Sequence, residues 1–314
     1  MLRGALVAAL AALTFAGCGG GDDEVESGPG LPTAGGGGSL AYAVPELPAT
    51  LDPLTASGRS AQLVTRQMHE PLIASLSRPY DHGGEEPGLA LSAKPSPDRT
   101  VWRLPLRSGV RFQDGTPFNA QAVLANGRRW GSSPQGRSLL PGLFAVDAPR
   151  PDEVRFQFSR PRPDLPELLS SPRLGIVSPQ ALAPKSGAEA RYRRRAAGSG
   201  TGPFRLETKS SGVIAISRDP SWWGTPLGLG PALDAVSFPA FSAERDRLEA
   251  LVAGEVEAAE ALGEDGLAVV ERDPLLRAGG TGDDASGYEA SVRGLDQASA
   301  VPVLSAVWLT TIAD

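Results

Sequence analysis

The chain is poor in the side chains that most site chemistry needs. It has one cysteine, Cys18, and two histidines, His69 and His82. A single cysteine excludes an internal disulfide. Two imidazoles separated by a proline and a Gly-Gly break do not make a ligand pattern, so neither a metal nor another cofactor is expected. Lysine occurs only as Lys94, Lys185 and Lys209, so arginine supplies nearly all of the 30 basic residues in a chain of formal net charge −6. Scattered arginines on an acidic chain do not build a nucleic-acid surface. The dense run Arg191-Tyr-Arg-Arg-Arg195 reads as a solvated loop or helix face. No Gly-x-Ser-x-Gly elbow lies between a strand and a helix and no Ser-x-x-Lys is present, which leaves no catalytic constellation, and an enzyme is not expected. There is no repeat of fixed period and, past the first residues, no apolar run long enough to cross a bilayer.

What is present begins at the N-terminus. Arg3 precedes an apolar stretch from Ala5 to Ala16, and Ala16-Gly17-Cys18 closes it with small residues. About a dozen apolar residues make a secretory h-region rather than a spanning helix, which needs roughly 20. Phe15-Ala16-Gly17-Cys18 resembles a bacterial lipobox. Cleavage without lipid is the alternative, but it would leave a free thiol in an oxidising compartment, so Cys18 is the expected lipidation site. Residues 1–18 are therefore read as a signal peptide with lipobox, and 19–39, rich in glycine and acid, as a flexible tether. The expected location is the cell envelope, outside the cytoplasm, with the lipid as membrane anchor.

From Leu40 the chain changes character. Leu40 to Val44 reads as an apolar strand, and Ser60 is placed to cap a helix carrying Leu63, Val64 and Met68. Trp102, Leu104 and Leu106 alternate with Val101, Arg103 and Pro105, the period of a strand with one buried face, and Pro105 argues for an edge position. Asp114-Gly115 supplies a turn, and Asn119 an N-cap for a helix bearing Val123 and Leu124. Further strands are expected at Val154–Phe158, Leu174–Val177 and Val236–Phe241, with a hairpin of 204–208 and 213–217 around Ser211-Gly212. Ser242 is placed to cap a helix that turns Leu248, Leu251 and Val252 inward and ends at Gly254. Gly279 to Gly287 reads as a loop, and Val301 to Ile312 as a strand or short helix.

Leu106-Arg-Ser-Gly-Val-Arg-Phe-Gln-Asp-Gly-Thr-Pro-Phe-Asn-Ala-Gln-Ala-Val123 resembles the signature segment of the family 5 extracytoplasmic solute-binding proteins, the peptide and nickel receptors of ABC importers. Pro48-Ala-Thr-Leu-Asp-Pro53, Met68-His-Glu-Pro-Leu72, Pro87-Gly-Leu-Ala90, Gly200-Thr-Gly-Pro-Phe204, Arg218-Asp-Pro-Ser-Trp-Trp223 and the stretch from Arg247 to Val256 are similar to further family elements, in the family's order.

The resemblance implies an α/β, periplasmic-binding-protein-like fold (type II, cluster C-like), truncated: a first lobe with an inserted α+β subdomain. Residues 40–80 and 198–278, with 295–314, are expected to form the first lobe, and 81–197 the inserted subdomain. Only residues 257–314 follow the Arg247 element, so most of the second lobe is expected to be absent. Ala122 stands where the family often has an acid. The implied partners are an oligopeptide or similar small solute, ABC permease subunits and the membrane. The alternative is a degenerate envelope lipoprotein acting as a scaffold. The crossover near the cleft makes Thr201, Gly202 and Phe204 ligand-cleft candidates, and the paired indoles add Trp222 and Trp223. Hinge structure for the first three and core or rim packing for the indoles are the competing readings.

Overall fold

The computed structural model describes residues 37–74, 88–182, 199–227, 230–231, 233–279 and 288–292. Cys18 and the tether up to residue 36, His82, the Arg191–Arg195 run, and the expected element at Val301–Ile312 lie outside the described residues.

In chain order the elements are β1 (Ser39–Ala43), α1 (Arg59–Met68), β2 (Lys94–Pro95), β3 (Val101–Pro105), α2 (Ala120–Ser132), α3 (Pro134–Leu139), β4 (Leu143–Arg150), β5 (Glu153–Phe158), α4 (Leu165–Leu168) and α5 (Pro179–Leu182). They continue with β6 (Phe204–Lys209), β7 (Val213–Arg218), β8 (Ala235–Pro239), α6 (Glu244–Val252), β9 (Ala258–Leu262), α7 (Glu264–Arg272), β10 (Leu276–Gly279) and β11 (Tyr288–Val292).

The strands form two sheets. The larger has the order β10-β11-β9-β1-β8-β7-β6, the smaller β2-β3-β5-β4. In the larger sheet β1 is parallel to both β8 and β9, while the flanking pairs are antiparallel. The smaller sheet is antiparallel throughout and interrupts the larger one in sequence between α1 and β6.

Alternation decides which face of each strand is covered. Leu40, Tyr42, Val236, Phe238, Ile214 and Ile216 share one apolar cluster with Leu63, Val64 and Met68 of α1. On the opposite face Ala43 and Ala259 pack with Ala250 and Leu251 of α6 and Val270 of α7. Trp102, Leu104, Val154 and Phe156 form the inner face of the smaller sheet against Val123 and Trp130 of α2. Trp130 stacks on Phe156 at 6.3 Å between ring centres. Fully burying one such side chain stabilises the fold by roughly 1.5–3 kcal/mol.

The Asn119 cap is formed: its side chain accepts from the N–H groups of Gln121 (2.9 Å) and Ala122 (3.2 Å). Four expectations need correction. β3 is an interior strand, between β2 and β5. Pro105 is accommodated because β2 pairs only as far as Arg103, and beyond it Leu91 N–H reaches the Pro105 carbonyl at 2.9 Å. Ser60 does not cap α1, where Gly58, which has no side chain to cap with, holds the cap position at φ +86°. Ser242 does not cap α6 either, because the cap position falls on Ala243, and Val252 points outward at 51% exposure. Leu174–Val177 is not a strand: a single 3₁₀ turn covers Pro172–Leu174.

Candidate functional site

In an open sheet with parallel strands, the crevice beyond their carboxyl ends is where ligands collect. Here the three parallel neighbours end at Ala43, Pro239 and Leu262. Their registers are fixed by the pairs Ala43↔Ala259 and Val44↔Ala240. A groove of about 150 Å³ opens just past β1, lined by residues 46–50, 55–57 and Ala61. Glu46 and Ser57 are exposed at it, and Pro48, Ala56 and Ala61 are buried beneath. Sites for whole small-molecule ligands run to about 300–1,000 Å³, so this groove accommodates a side-chain-sized group and leaves the rest of a larger solute to other surfaces.

Asp52 shapes one wall. It is 1% exposed. Its Oδ1 accepts the Leu54 N–H and its Oδ2 the Thr55 hydroxyl, both at 3.1 Å, and the Arg129 guanidinium of α2 closes on Oδ2. The other wall is held from β6, where Lys209 Nζ donates to the Pro48 carbonyl at 2.8 Å. Burial pushes the Lys209 ammonium below its ordinary value.

Two further charges brace the strand ends. Arg247 of α6 is 4% exposed. Its guanidinium donates to the carbonyls of Phe241 (2.6 Å), Ser242 (3.3 Å), Glu260 (3.0 Å) and Ala261 (2.6 Å). One side chain therefore ties the exits of β8 and β9 together. Between them β9 bulges: Tyr288 pairs with Leu262 but Ala290 with Ala259, and Ala261 takes a left-handed φ of +58°. The side chain of Glu260 in that bulge accepts the Ser60 hydroxyl and pairs with Arg59 Nε at 3.2 Å. Burial raises its pKa above the usual 4.5, against the opposing pull of Ser60 and Arg59.

The expected site residues gather elsewhere, around the carboxyl end of α1. Gly202 N–H bonds to the Met68 carbonyl at 2.9 Å, and Asp219 N–H to Pro203 at 2.8 Å. Gln113 of the signature turn donates to the carbonyls of Gly202 (3.1 Å) and Phe204 (2.6 Å). Thr201 and Phe204 are sealed from solvent and Trp222 nearly so. Trp223 stays half-buried. Its indole N–H donates to Glu70 at 2.8 Å, and the Arg107 guanidinium lies 4.6 Å from its ring centre. The structure thus brings Thr201, Gly202, Phe204, Trp222 and Trp223 into one joint between the sheets, and none of them lines the groove. Cys18 lies outside the described residues.

Sequence reasoning passed over Asp52, Arg129, Glu260 and the contacts of Arg247. Only the Pro48–Pro53 element that contains Asp52 and the position of Arg247 were visible as motifs. Among the described residues no group of three His, Cys, Asp or Glu side chains is placed to hold a metal ion, and no helix is long and apolar enough to cross a membrane.

Comparison with known proteins gives this geometry its context. The profile of the bacterial extracellular solute-binding proteins, family 5 Middle, matches residues 85–298. The chain belongs to that family. The glutathione-binding protein GsiB of Escherichia coli strain K12 is 29% identical over 213 residues, which is 66% of this chain and 39% of the relative. Among solved structures, the binding protein AgaA of A. tumefaciens R10 in complex with agropinic acid superposes with a TM-score of 0.66 at 25% identity, covering 77% of this chain and 48% of the other. NikA of Brucella suis in complex with Fe(III)-EDTA gives 0.64 at 25% identity, with the same coverage. AppA of Bacillus subtilis, in complex with a nonapeptide, gives 0.65 at 19% identity and supports the fold alone, covering 79% of this chain and 48% of the other. The chain spans about half the length, or less, of the relatives it matches. The fold is the periplasmic-binding-protein lobe with an inserted subdomain, and these relatives are solute-binding proteins rather than enzymes.

Proposed function

We propose that this protein is the extracytoplasmic solute receptor of an ABC importer, binding an oligopeptide or a similar small solute and presenting it to permease subunits. The single observation that carries the reading is the groove at the carboxyl ends of the parallel strands in a chain of this family, its walls held by Asp52 and Lys209. Relatives named for glutathione, a nonapeptide and a metal chelate define the range of solutes to test. In this reading Thr201, Gly202, Phe204, Trp222 and Trp223 form the joint behind the groove, and Cys18 carries the lipid that keeps the receptor at the membrane.

Titration calorimetry of the folded protein against glutathione, short peptides and metal chelates tests it. Binding of one class, weakened by substitutions at the groove, is the expected outcome. A well-folded sample that binds none of them overturns the import role, and co-purification with envelope proteins other than permease subunits would then assign a scaffold role. Membrane fractionation of Cys18→Ala is expected to show release into the soluble fraction, and unchanged retention removes the lipid anchor.

A further inference from the structure

Asp52 has more hydrogen-bonding duties than a turn residue requires. Besides Leu54 and Thr55, its carbonyl accepts the N–H groups of Thr55 at 3.1 Å and Ala56 at 2.8 Å, and its own N–H donates to Thr50 Oγ1 at 3.1 Å. Thr50, Thr55 and Ala56 all line the groove. The main chain of Asp52 ties this wall together, and its carboxylate adds the bonds to the Leu54 N–H and the Thr55 hydroxyl.

That carboxylate is in turn held from the other sheet. The Asp52 side chain is 2% exposed and the Arg129 side chain 16%, so the pair is shielded from the solvent screening that weakens surface ion pairs. Arg129 sits in the last turn of a helix with little freedom to shift. Asn119 caps its start, Trp130 is buried against Phe156, and Asn126 donates to the Val177 carbonyl at 2.8 Å. A rigid helix, a planar guanidinium and a buried carboxylate in series hold geometry better than a loop alone can.

We infer that Arg129 of the inserted subdomain is a positioning residue for the groove: through Asp52 it sets the wall from Thr50 to Ser57 against which a solute docks. The inference rests on the groove being the solute site. A purely cohesive role for the pair would instead lower the stability of the whole body and leave the shape of the wall unchanged.

Hydrogen exchange of the unliganded Arg129→Met variant separates the two. Amides of Leu54, Thr55 and Ala56 are expected to exchange about tenfold faster or more, with those of β1 and β3 unchanged. Arg129→Lys, which keeps the charge but not the fork, recovers part of the protection. Arg155→Met, which removes a more exposed pair with Asp147 (2.7 Å) that does not line the groove, leaves residues 54–56 as in the wild type. Unchanged protection at 54–56 in Arg129→Met, or equal loss in the Arg155→Met control, overturns the inference. If Arg129→Met does not fold, Asp52→Asn, which retains an oxygen for the Leu54 N–H, gives the same readout. Affinity for glutathione or whichever panel solute binds is expected to fall about tenfold in parallel, and an unchanged affinity also overturns it. A wild-type protein that binds no solute overturns the solute reading alone, because the exchange pattern is read without one.

Discussion

Glu260 is 1% exposed, in a bulge beside the left-handed Ala261, with Ser60 and Arg59 against its carboxylate. Burial penalises its charged form more than those partners favour it, so its pKa is raised. The native state then holds this proton more tightly than the unfolded chain does. The resulting stabilisation is complete below the ordinary value of 4.5 and is lost as pH rises through the raised native pKa. Glu260→Gln removes the titration. The stability of that variant relative to wild type is therefore expected to increase between pH 4 and pH 7, by about 1.4 kcal/mol for each pH unit that the native pKa has moved. Urea unfolding at several pH values measures this, and a difference independent of pH contradicts it. None of it was legible beforehand. No motif marked Glu260, and Arg247 was only a family landmark, because its four acceptors are main-chain carbonyls, which leave no mark on side-chain identity.

At the scale of elements, the Gly200–Phe204 segment shows how a correct motif acquires a different cause. Its glycines read as a place where the backbone bends. In the structure they are needed for contact: a Cβ at Gly200 would stand 1.8 Å from the Met68 carbonyl oxygen, and one at Gly202 2.5 Å from that of Gln67. Both obstacles are backbone at the end of α1, which cannot swing aside as a side chain could. Gly212, at the tip of the β6–β7 hairpin, has nothing within 4 Å. Gly200→Ala is accordingly expected to cost about 3 kcal/mol or more, whereas Gly212→Ala changes stability by less than about 1 kcal/mol. Denaturant midpoints compare the two directly, and equal midpoints would refute the close-contact explanation. Helix caps divide in the same way. Asn119 was legible because the N–H donors it accepts from are neighbours in sequence. Ser60 was misread because its hydroxyl is taken by Glu260, 200 residues away in the chain.

For the whole molecule, the two sheets are joined at several independent points: Asp52 with Arg129, Gln113 with the crossover carbonyls, and Arg107 with the Trp223 ring. Buried polar ties of this kind couple the unfolding of the parts they connect, because breaking one leaves unsatisfied groups on both sides. A single cooperative transition is therefore expected. Tryptophan fluorescence and far-ultraviolet circular dichroism of the unsubstituted protein should give the same urea midpoint. Separate midpoints would show two independent units. The sequence by itself determined the family, the strand alternation of β3 and β5, the hairpin and the Asn119 cap, because each rests on neighbours within a few residues. Only the tertiary structure showed that Thr201, Gly202 and Phe204 pack against the carboxyl end of α1 and that a groove opens past β1. It also brought Arg129 to Asp52, Lys209 to the Pro48 carbonyl and Arg247 to the exits of β8 and β9. Those assignments depend on groups brought together from distant parts of the chain, where burial and main-chain acceptors, not local pattern, set which contact wins.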